Sequence, residues 1–296
     1  MKGIILAAGK GTRLGAATRG IGAKGVGVSK ALIPTYDKPT IHYPLSDLIS
    51  AGIKDILVIA APDNIDQFQS MLGDGKELGI KISYEVQPKP EGIAQAFIIG
   101  EQFIGNDDVA LIFGDNIFSG KRFTETLKAY TKPRGATVFA YHVPNPQDFG
   151  VVEFDKNMRV ISIEEKPAQP KSHHAVVGIY FYNSGVVEVA KRIEKSARGE
   201  YEITTINDEY RKMGTLDVTI LDSDTSWFDT GTPDSLIGAA NYVRGWQNRT
   251  DRLLGSPEAA AFQAGFIDSD ALRELAEPLE KSTYGMALLR LADAGW

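Results

Sequence analysis

KGIILAAGKGTRL, at residues 2–14, is an apolar run followed directly by a glycine-rich turn that carries cations. Residues 4–8 are typical of a strand that is buried on both faces. Gly9 and Gly11 allow the backbone to approach a ligand closely, and the free N–H groups of such a turn, together with Arg13, can receive anionic oxygens. The spacing fits neither the usual phosphate loop nor the dinucleotide pattern Gly-x-Gly-x-x-Gly. The stretch therefore predicts either a polyphosphate site at the end of a first strand or an ordinary turn.

Strands alternate with helices in the first part of the chain. Further strands are expected at residues 55–60, 80–86 and 109–113, and helices at residues 41–49, 65–72 and 93–103. This alternation indicates right-handed crossovers and a parallel sheet. Because ligands bind at the carboxyl ends of parallel strands, we expect the loop at Gly9, the segment 87–92 and Asp115 to line one crevice.

From residue 136 the pattern changes to strands joined by short turns. Strands are expected at residues 136–143, 150–154, 160–164 and 176–182, then helices at 184–193 and 203–213, a strand at 218–221 and a helix at 233–246. Residues 250–296 show the helical spacing of short helices. The prediction is an α/β protein with a mostly parallel central sheet, a mixed-sheet extension and C-terminal helices, divided into residues 1–249 and 250–296.

The composition excludes several classes of protein. The 296 residues include 32 basic and 38 acidic ones, a net charge of −6 without a basic block, so no nucleic-acid partner is expected. Cysteine is absent, which excludes disulfides, thiolate nucleophiles and cysteine metal sites. The sequence has no secretory signal pattern and no apolar run of membrane-spanning length, so we expect no membrane partner and a cytoplasmic location.

Two acidic residues stand where a cation could be held against phosphates. Asp115 follows the apolar strand that ends at residue 113, and Asp229 lies between an aromatic pair and a Thr-Gly dipeptide. Carboxylate oxygens suit Mg²⁺, which keeps its remaining positions for water and phosphate oxygens. The alternative for Asp115 is a helix N-cap.

Three basic residues complete this pattern. Arg13 and Lys30 follow the first strand, and Lys166 ends a later strand in Glu-Glu-Lys-Pro, where it would either pair with a monoester phosphate or remain a solvated surface charge. No Ser/His/Asp arrangement and no histidine spacing typical of a metal site is present. Phosphoryl and nucleotidyl transfers depend on positioning and charge neutralisation, so the pattern favours direct in-line attack.

Many stretches resemble the sugar-nucleotide pyrophosphorylases and, within that family, the glucose-1-phosphate thymidylyltransferases. They are GIILAAGKGTRL at 3–14, SK at 29–30 with Pro34, YDKP at 36–39, VQP at 86–88, GIAQAF at 92–97, GDNIF at 114–118, GATVFAYHV at 135–143, GVVEF at 150–154, EEKP at 164–167, SARGE at 196–200 and DTG at 229–231. The resemblance implies a Rossmann-like nucleotidyltransferase fold, a nucleotide-binding part at about 1–135 and a sugar-phosphate-binding part at about 136–231. It also implies Mg²⁺ as cofactor and a homotetramer.

The resemblance also assigns residues to roles. The implied nucleotide-binding residues are Leu6, Ala8, Gly9, Gly11, Thr12, Arg13, Lys30, Gln87, Pro88, Gly92 and Asp115. The implied sugar-phosphate-binding residues are Gly150, Glu165, Lys166, Val176 and Arg198. Asp115 and Asp229 would bind the metal, and the catalytic residues would be Arg13, Lys30, Lys166 and Asp115.

The chain departs from its relatives at several positions. Most relatives carry Gly at Ala8, Gln at Ala31 and an acid at Thr205, and they lack the glycine-rich insertion at 19–27, which we expect to close over the triphosphate through Arg19 or Lys24. Two further departures concern a second, regulatory site. There Ala259 and Gln263 replace Glu and Arg, so weak or altered feedback inhibition is expected.

Three hypotheses for function follow. The favoured one is transfer of a nucleotidyl group from dTTP to α-D-glucose 1-phosphate, and the alternative is the same chemistry with UTP or a purine triphosphate and another sugar or cyclitol 1-phosphate. Thymine and uracil differ by one methyl group, worth only about a tenfold to hundredfold preference. A non-catalytic nucleotide-sugar sensor is the remote alternative, and it would be expected to have lost Arg13, Asp115, Lys166 or Asp229. A dehydrogenase is excluded by the glycine spacing and by the lack of an acid after the second strand.

Overall fold

The computed structural model describes residues 1–9, 11–19 and 27–294. The strands in these ranges are β1 (Lys2–Ala7), β2 (Pro34–Thr35), β3 (Lys38–Pro39), β4 (Asp55–Ala60), β5 (Lys81–Val86), β6 (Val109–Phe113), β7 (Asn116–Ser119), β8 (Ala136–His142), β9 (Gly150–Phe154), β10 (Val160–Glu165), β11 (His174–Tyr182), β12 (Leu216–Ile220) and β13 (Ser226–Asp229). The α-helices are α1 (His42–Ser50), α2 (Ile65–Leu72), α3 (Gln95–Ile99), α4 (Glu101–Ile104), α5 (Phe123–Ala129), α6 (Val186–Arg192), α7 (Ile203–Lys212), α8 (Pro233–Thr250), α9 (Pro257–Gln263), α10 (Ser269–Ala276) and α11 (Thr283–Ala294). None of the helices in the described ranges has the length and apolar character that crossing a bilayer requires.

Nine of these strands form one sheet. Its main path runs β10-β9-β11-β6-β1-β4-β5, and β8 pairs with β11 on one side and with β12 on the other. The strands β6, β1, β4 and β5 are parallel, with Ile5 of β1 opposite Ile112 of β6 and Val58 of β4. β11 is antiparallel to β6 and β8, and β9 is antiparallel to β10. The predicted parallel sheet with a mixed extension is confirmed.

The central strands are apolar throughout because helices cover both faces of the sheet. Successive side chains of a strand point to opposite faces. Ile5 and Val58 therefore join the core beneath α1 and α2, and Ile4 and Leu57 join the core beneath α3, α6 and α7. Ile4 and Ile5 are both fully buried, as predicted for a strand covered on both faces.

The C-terminal helices pack onto this body through α1. α9 lies against α1 and adds Ala260 and Ala261 to the core on that face. α9, α10 and α11 also share a smaller apolar cluster that contains the fully buried Leu272 and Leu288. The C-terminal helices are confirmed, and the division at residue 249 stays a prediction, although α8 ends close to it at Thr250.

Three features differ from the sequence prediction. The helix expected at 93–103 is divided into α3 and α4 at Gly100, where a Cβ would lie 3.1 Å from Ile4 Cδ1 and 3.3 Å from Leu57 Cδ2. A glycine there lets the helix lie close to the sheet but weakens the helix itself. The sequence pattern also gives no sign of α5 or of the separate two-stranded ladder formed by β7 and β13. That ladder matters most for the site.

Candidate active site

The carboxyl ends of the parallel strands gather the predicted loops at one edge of the sheet. β1, β5 and β6 lead towards Gly9, Gln87 and Asp115, respectively. Because these strands are parallel, the three residues lie at the same edge. β11 runs antiparallel to β6, so its first half, with Val176, reaches that edge as well.

Two carboxylates come together because β7 pairs with β13. In this ladder Asn116 lies opposite Asp229, which brings Asp229 towards Asp115. Thr230 fixes the arrangement, because its hydroxyl donates to the carbonyl oxygen of Asp115 at 2.8 Å and its backbone N–H donates to the same oxygen at 3.1 Å. The side chain of Asp115 is 6% exposed and that of Asp229 is 27% exposed. The two predicted metal ligands therefore lie close together in a largely buried part of the site.

Each of these carboxylates is paired with a cation. Lys30 Nζ forms an ion pair with Asp115 Oδ2, and Arg13 Nη2 lies 3.5 Å from Asp229 Oδ2. Gly9 leaves room for this lysine, since a Cβ at that position would lie 3.1 Å from Lys30 Cε. Burial raises the pKa of Asp229 above its ordinary value, and the charge of Asp115 raises it further, whereas the two cations lower it. The arrangement can neutralise charge on a polyphosphate.

The carboxylate pair fits Mg²⁺. Within residues 1–9, 11–19 and 27–294, no group of three or more His, Cys, Asp or Glu side chains is arranged to hold a metal ion. Mg²⁺ is commonly bound by one or two carboxylates together with substrate phosphates and water, so two protein ligands suffice. A donor set of oxygen atoms alone also suits this hard cation. Asp115 and Asp229 are the residues that would hold it.

Gln87 lies in a loop whose shape depends on Gly92 and Tyr201. Gln87 Nε2 donates to the carbonyl oxygen of Gly92 at 3.2 Å and to Oε1 of Gln95 at 2.7 Å. Gly92 has a φ of +111°, and a Cβ there would lie 2.4 Å from the carbonyl oxygen of Tyr201. The backbone N–H of Tyr201 donates to the carbonyl oxygen of Glu91 at 2.7 Å. The loop therefore fixes the amide of Gln87 with both of its N–H groups engaged. Its carbonyl oxygen is the atom that can accept a hydrogen bond from a nucleobase edge.

A second group of predicted residues meets where β9, β10 and β11 converge. Gly150 lies opposite Glu165, and a Cβ at Gly150 would lie 3.3 Å from Glu165 Oε2 and 3.9 Å from Val176 Cβ. The hydroxyl of Thr204 donates to Glu165 Oε2 at 2.5 Å, and Arg198 Nη1 donates to Oε1 at 3.4 Å. The carboxylate of Glu165 is thereby fixed beside the space that Gly150 leaves open, where it can accept hydrogen bonds from sugar hydroxyls.

The two cations predicted to bind the sugar phosphate differ in their surroundings. Besides Glu165, Arg198 contacts Glu200 at 3.3 Å and Glu202 at 3.5 Å. Lys166 is exposed, and its ammonium group has no hydrogen-bond or ion-pair partner in the part of the chain that the structure describes. A phosphate can therefore bind Lys166 without competing with a carboxylate, whereas at Arg198 it would share the guanidinium group with three carboxylates.

Trp227 connects the carboxylate pair with this second group. Its Nε1 donates to Asn116 Oδ1 at 2.7 Å, and Asn116 Nδ2 donates in turn to Asp115 Oδ1 at 3.3 Å. The indole ring packs against Phe149, with ring centroids 5.2 Å apart. The carbonyl oxygen of Phe149 accepts the backbone N–H of Lys166 at 2.9 Å. A continuous set of contacts thus links Asp115 to Lys166.

The remaining predicted nucleotide residues lie at or near the end of β1 and β5. Leu6 is the last residue of β1 that pairs with β6, opposite Phe113. Ala8 is 4% exposed, Gly11 has a φ of +60°, and Thr12 begins a short 3-10 helix at Thr12–Ala17. Pro88 is exposed beside Gln87. Among the described residues, Leu6, Ala8 and Pro88 form no hydrogen bond to the charged cluster, which consists of Arg13, Lys30, Asp115 and Asp229.

Part of the predicted insertion lies outside the described residues. Lys24, one of the residues expected to close over the triphosphate, lies outside the described residues, as do its neighbours in 20–26. Arg19 is described and exposed. Ala31, a departure from the relatives, is 1% exposed, and a Cβ at Gly114 would lie 3.3 Å from its Cβ. A small residue at position 31 is therefore part of the packing beneath the charged cluster.

Several contributors to the site are absent from the predicted set, among them Thr204, Trp227 and Thr230. Thr204 and Thr230 each use a hydroxyl to fix a predicted site residue, and Trp227 links the two groups. The only signal in the sequence is adjacency, since Trp227 and Thr230 flank Asp229. Their partners are far apart in the chain and become visible only in the fold.

The chain is similar to known proteins over nearly its whole length. Residues 2–245 match the family described as nucleotidyl transferase. A glucose-1-phosphate thymidylyltransferase of Neisseria meningitidis is 54% identical over 98% of this chain and 99% of its own length. One from Mycolicibacterium smegmatis is 51% identical over 99% of both chains. A Bacillus anthracis crystal structure in complex with sucrose, assigned to the same enzyme type, has a TM-score of 0.73 and 40% identity and covers 82% of this chain and 95% of its own.

Proposed function

The chain belongs to the nucleotidyl transferase family and, within it, to the glucose-1-phosphate thymidylyltransferases, and we propose that it forms dTDP-glucose and pyrophosphate from dTTP and α-D-glucose 1-phosphate. The observation that carries the proposal is the charged cluster at the strand ends. This cluster brings together Arg13, Lys30, Asp115 and Asp229. The loop with Gln87 follows β5 at the same edge of the sheet. Such a cluster is what transfer between two phosphate compounds requires.

The reaction is a single displacement in this proposal. A phosphate oxygen of glucose 1-phosphate attacks the α-phosphorus of dTTP, and the bond from that phosphorus to the oxygen bridging to the β-phosphate breaks. Pyrophosphate leaves opposite the attacking oxygen, with Arg13 and Lys30 offsetting the charge that accumulates on it. Transfers of this kind depend on alignment and on charge stabilisation more than on a covalent intermediate.

Substrate positioning is assigned to the two groups of residues described above. The amide of Gln87 and the backbone of Gly92 bind the pyrimidine edge, and Glu165 accepts hydrogen bonds from the sugar. Lys166, joined by Arg198, binds the sugar phosphate. Mg²⁺, held by Asp115 and Asp229, would neutralise phosphate charge and help to align the triphosphate.

A second nucleotide remains open within the same chemistry. The amide of Gln87 matches the edge that thymine and uracil share, and one methyl group accounts for about a tenfold to hundredfold preference. UTP is therefore the alternative triphosphate. The homotetramer and the cytoplasmic location stay predictions from the sequence.

A matrix of substrates tests the proposal. Pyrophosphate release is measured with Mg²⁺ for five nucleoside triphosphates, each combined with several sugar 1-phosphates. We expect the highest kcat/KM for dTTP with glucose 1-phosphate, and loss of that activity in Asp115→Asn. A different preferred pair of substrates would support the reaction type but refute the assignment of dTTP and glucose 1-phosphate. No turnover, with nucleotide-sugar binding intact, would instead favour the sensor.

A further inference from the structure

Lys30 is paired with the very carboxylate that would hold the metal ion. Its Nζ contacts Oδ2 of Asp115. The pair is largely shielded from water, since the side chains of Lys30 and Asp115 are 22% and 6% exposed. The other pair is weaker, because Arg13 is 62% exposed and lies 3.5 Å from Asp229. Shielding from solvent strengthens charge interactions and reduces their screening by salt, so the pair of Lys30 is the important one.

An ammonium group and a metal ion that bind the same carboxylate oppose each other, because both carry positive charge. Mg²⁺ coordinates carboxylate oxygens directly and at short range. If it binds Asp115 while Lys30 Nζ contacts Oδ2, the two cations repel each other across a partly buried space, so the metal ion binds more tightly once the ammonium group has moved away. Removing the lysine alone would leave the carboxylate of Asp115 without its compensating charge, which makes that carboxylate a better site for a cation.

The lysine can leave Asp115 without a movement of the backbone. Ser29 anchors the turn before it, because its hydroxyl donates to the carbonyl oxygen of Ala7 at 3.3 Å and accepts the backbone N–H of Ala31 at 3.4 Å. Lys30 itself carries its charge on a flexible four-carbon stem. Gly9, at the neighbouring turn, adds no side chain to hinder that stem. The charge can therefore move between Asp115 and an anion bound at the Gly9 turn.

We propose that Lys30 competes with the metal ion for Asp115 and that the bound triphosphate ends the competition by attracting Lys30 to its own oxygens. The metal ion and the nucleotide then bind cooperatively, and the metal alone binds weakly. This inference rests on the proposed function, because it takes Asp115 as a ligand of Mg²⁺. It assigns to Lys30 a second role, the coupling of metal binding to nucleotide binding, in addition to charge stabilisation.

The coupling predicts that losing a cation strengthens metal binding. The full chain is titrated with Mn²⁺, and the free Mn²⁺ concentration is measured by electron paramagnetic resonance. One titration is made without nucleotide and one with α,β-methylene dTTP. Without nucleotide, Lys30→Met is expected to bind Mn²⁺ about tenfold more tightly than the wild type, or more. With the analogue, the gain in Mn²⁺ affinity is expected to be clearly smaller in the variant than in the wild type, because coupling is reciprocal.

Lys166→Met is the matched control, since it removes one positive charge from a residue without a partner among the described residues. Its Mn²⁺ affinity is expected to stay within about threefold of the wild type, because exposed charges are screened. Lys30→Gln repeats the test with a polar side chain in case the Met variant folds poorly. Equal Mn²⁺ affinities in the wild type and both Lys30 variants would overturn the inference, as would an equal gain in Lys166→Met.

A further variant separates this inference from the proposed function. Asp115→Asn is titrated with Mn²⁺ in the presence of the analogue. Loss of binding confirms Asp115 as a ligand, and the Lys30 comparison then decides the coupling alone. Unchanged binding in Asp115→Asn would refute both the metal site and the competition.

Discussion

Substitution of Gly92 by Ala is expected to separate two segments of the nucleotide site. The new Cβ would lie 2.4 Å from the carbonyl oxygen of Tyr201, 2.5 Å from its nitrogen and 2.8 Å from its carbonyl carbon. All three atoms belong to the backbone, so a flexible side chain cannot relieve the overlap. The loop and the Tyr201 segment must move apart by about 1 Å to reach ordinary contact distance. In addition, the φ of +111° is unfavourable for any residue other than glycine.

The magnitudes follow from these two effects. The backbone conformation costs about 1–3 kcal/mol, and the overlap with Tyr201 adds about 1–3 kcal/mol. The shift also breaks the hydrogen bond from Gln87 to Gly92, now 3.2 Å long. A displacement of about 1 Å at a binding residue can lower kcat/KM by about a hundredfold. We expect kcat/KM for dTTP to fall about tenfold to hundredfold, mainly because KM rises.

Gly105→Ala is the matched control for this prediction. Gly105 also has a positive φ, +57°, but nothing lies within 4 Å of the added Cβ. It should therefore lose stability through the backbone alone and keep its kinetic constants. Both variants are compared by urea unfolding and by steady-state kinetics. An unchanged KM for dTTP in Gly92→Ala, or an equal rise in both variants, would refute the reasoning.

The remaining predictions concern stability, the linkage between the two residue groups, and regulation. One oxygen of Asp47 is shielded from solvent without a hydrogen-bond partner among the described residues, and burial raises the pKa of this carboxyl well above its ordinary value of 3.8. The carboxyl therefore lowers the free energy of unfolding as the pH rises past that value, and Asp47→Asn should gain about 1–2 kcal/mol at pH 7 but almost nothing at pH 3. Unfolding curves that show equal effects at both pH values would contradict this. Trp227→Phe keeps a ring but leaves Asn116 Oδ1 without its 2.7 Å donor. We therefore expect kcat to fall about tenfold and the Mg²⁺ concentration for half-maximal activity to rise. Wild-type kinetics in this variant would contradict the linkage of Asp115 to Lys166 through Trp227. Ala259 and Gln263 line a cavity between the C-terminal helices, where the loss of two charges should leave a dTDP-sugar a weak inhibitor; strong inhibition, competitive or not, would count against this expectation.

The sheet could be predicted because its strands are recognisable from local sequence. The runs 55–60 and 109–113 are apolar over almost their whole length, as strands covered on both faces must be. Once these strands are taken as parallel, Gly9, Gln87 and Asp115 must lie at one edge of the sheet. The first half of the site therefore follows from the sequence by physical argument.

The support of the site could not be predicted in the same way. β7 and β13 are four residues long each and pair across a large separation in the chain, so no local pattern marks them. The hydrogen bonds of Thr230 and Thr204 depend on where that ladder and α7 come to lie. The need for a glycine at position 100 is also tertiary in origin, because an added Cβ would lie close to Ile4 and Leu57 of the sheet.

Identification of the products from dTTP and glucose 1-phosphate tests the central claim most directly. The full chain, with Mg²⁺, is incubated with both substrates and with each alone, and nucleotide sugar and pyrophosphate are quantified by chromatography and mass spectrometry. We predict equimolar dTDP-glucose and pyrophosphate from the complete mixture, no pyrophosphate from dTTP alone, and neither product from Asp115→Asn. Pyrophosphate released without the sugar phosphate would contradict direct attack, and a mixture that yields no dTDP-glucose would contradict the proposed function.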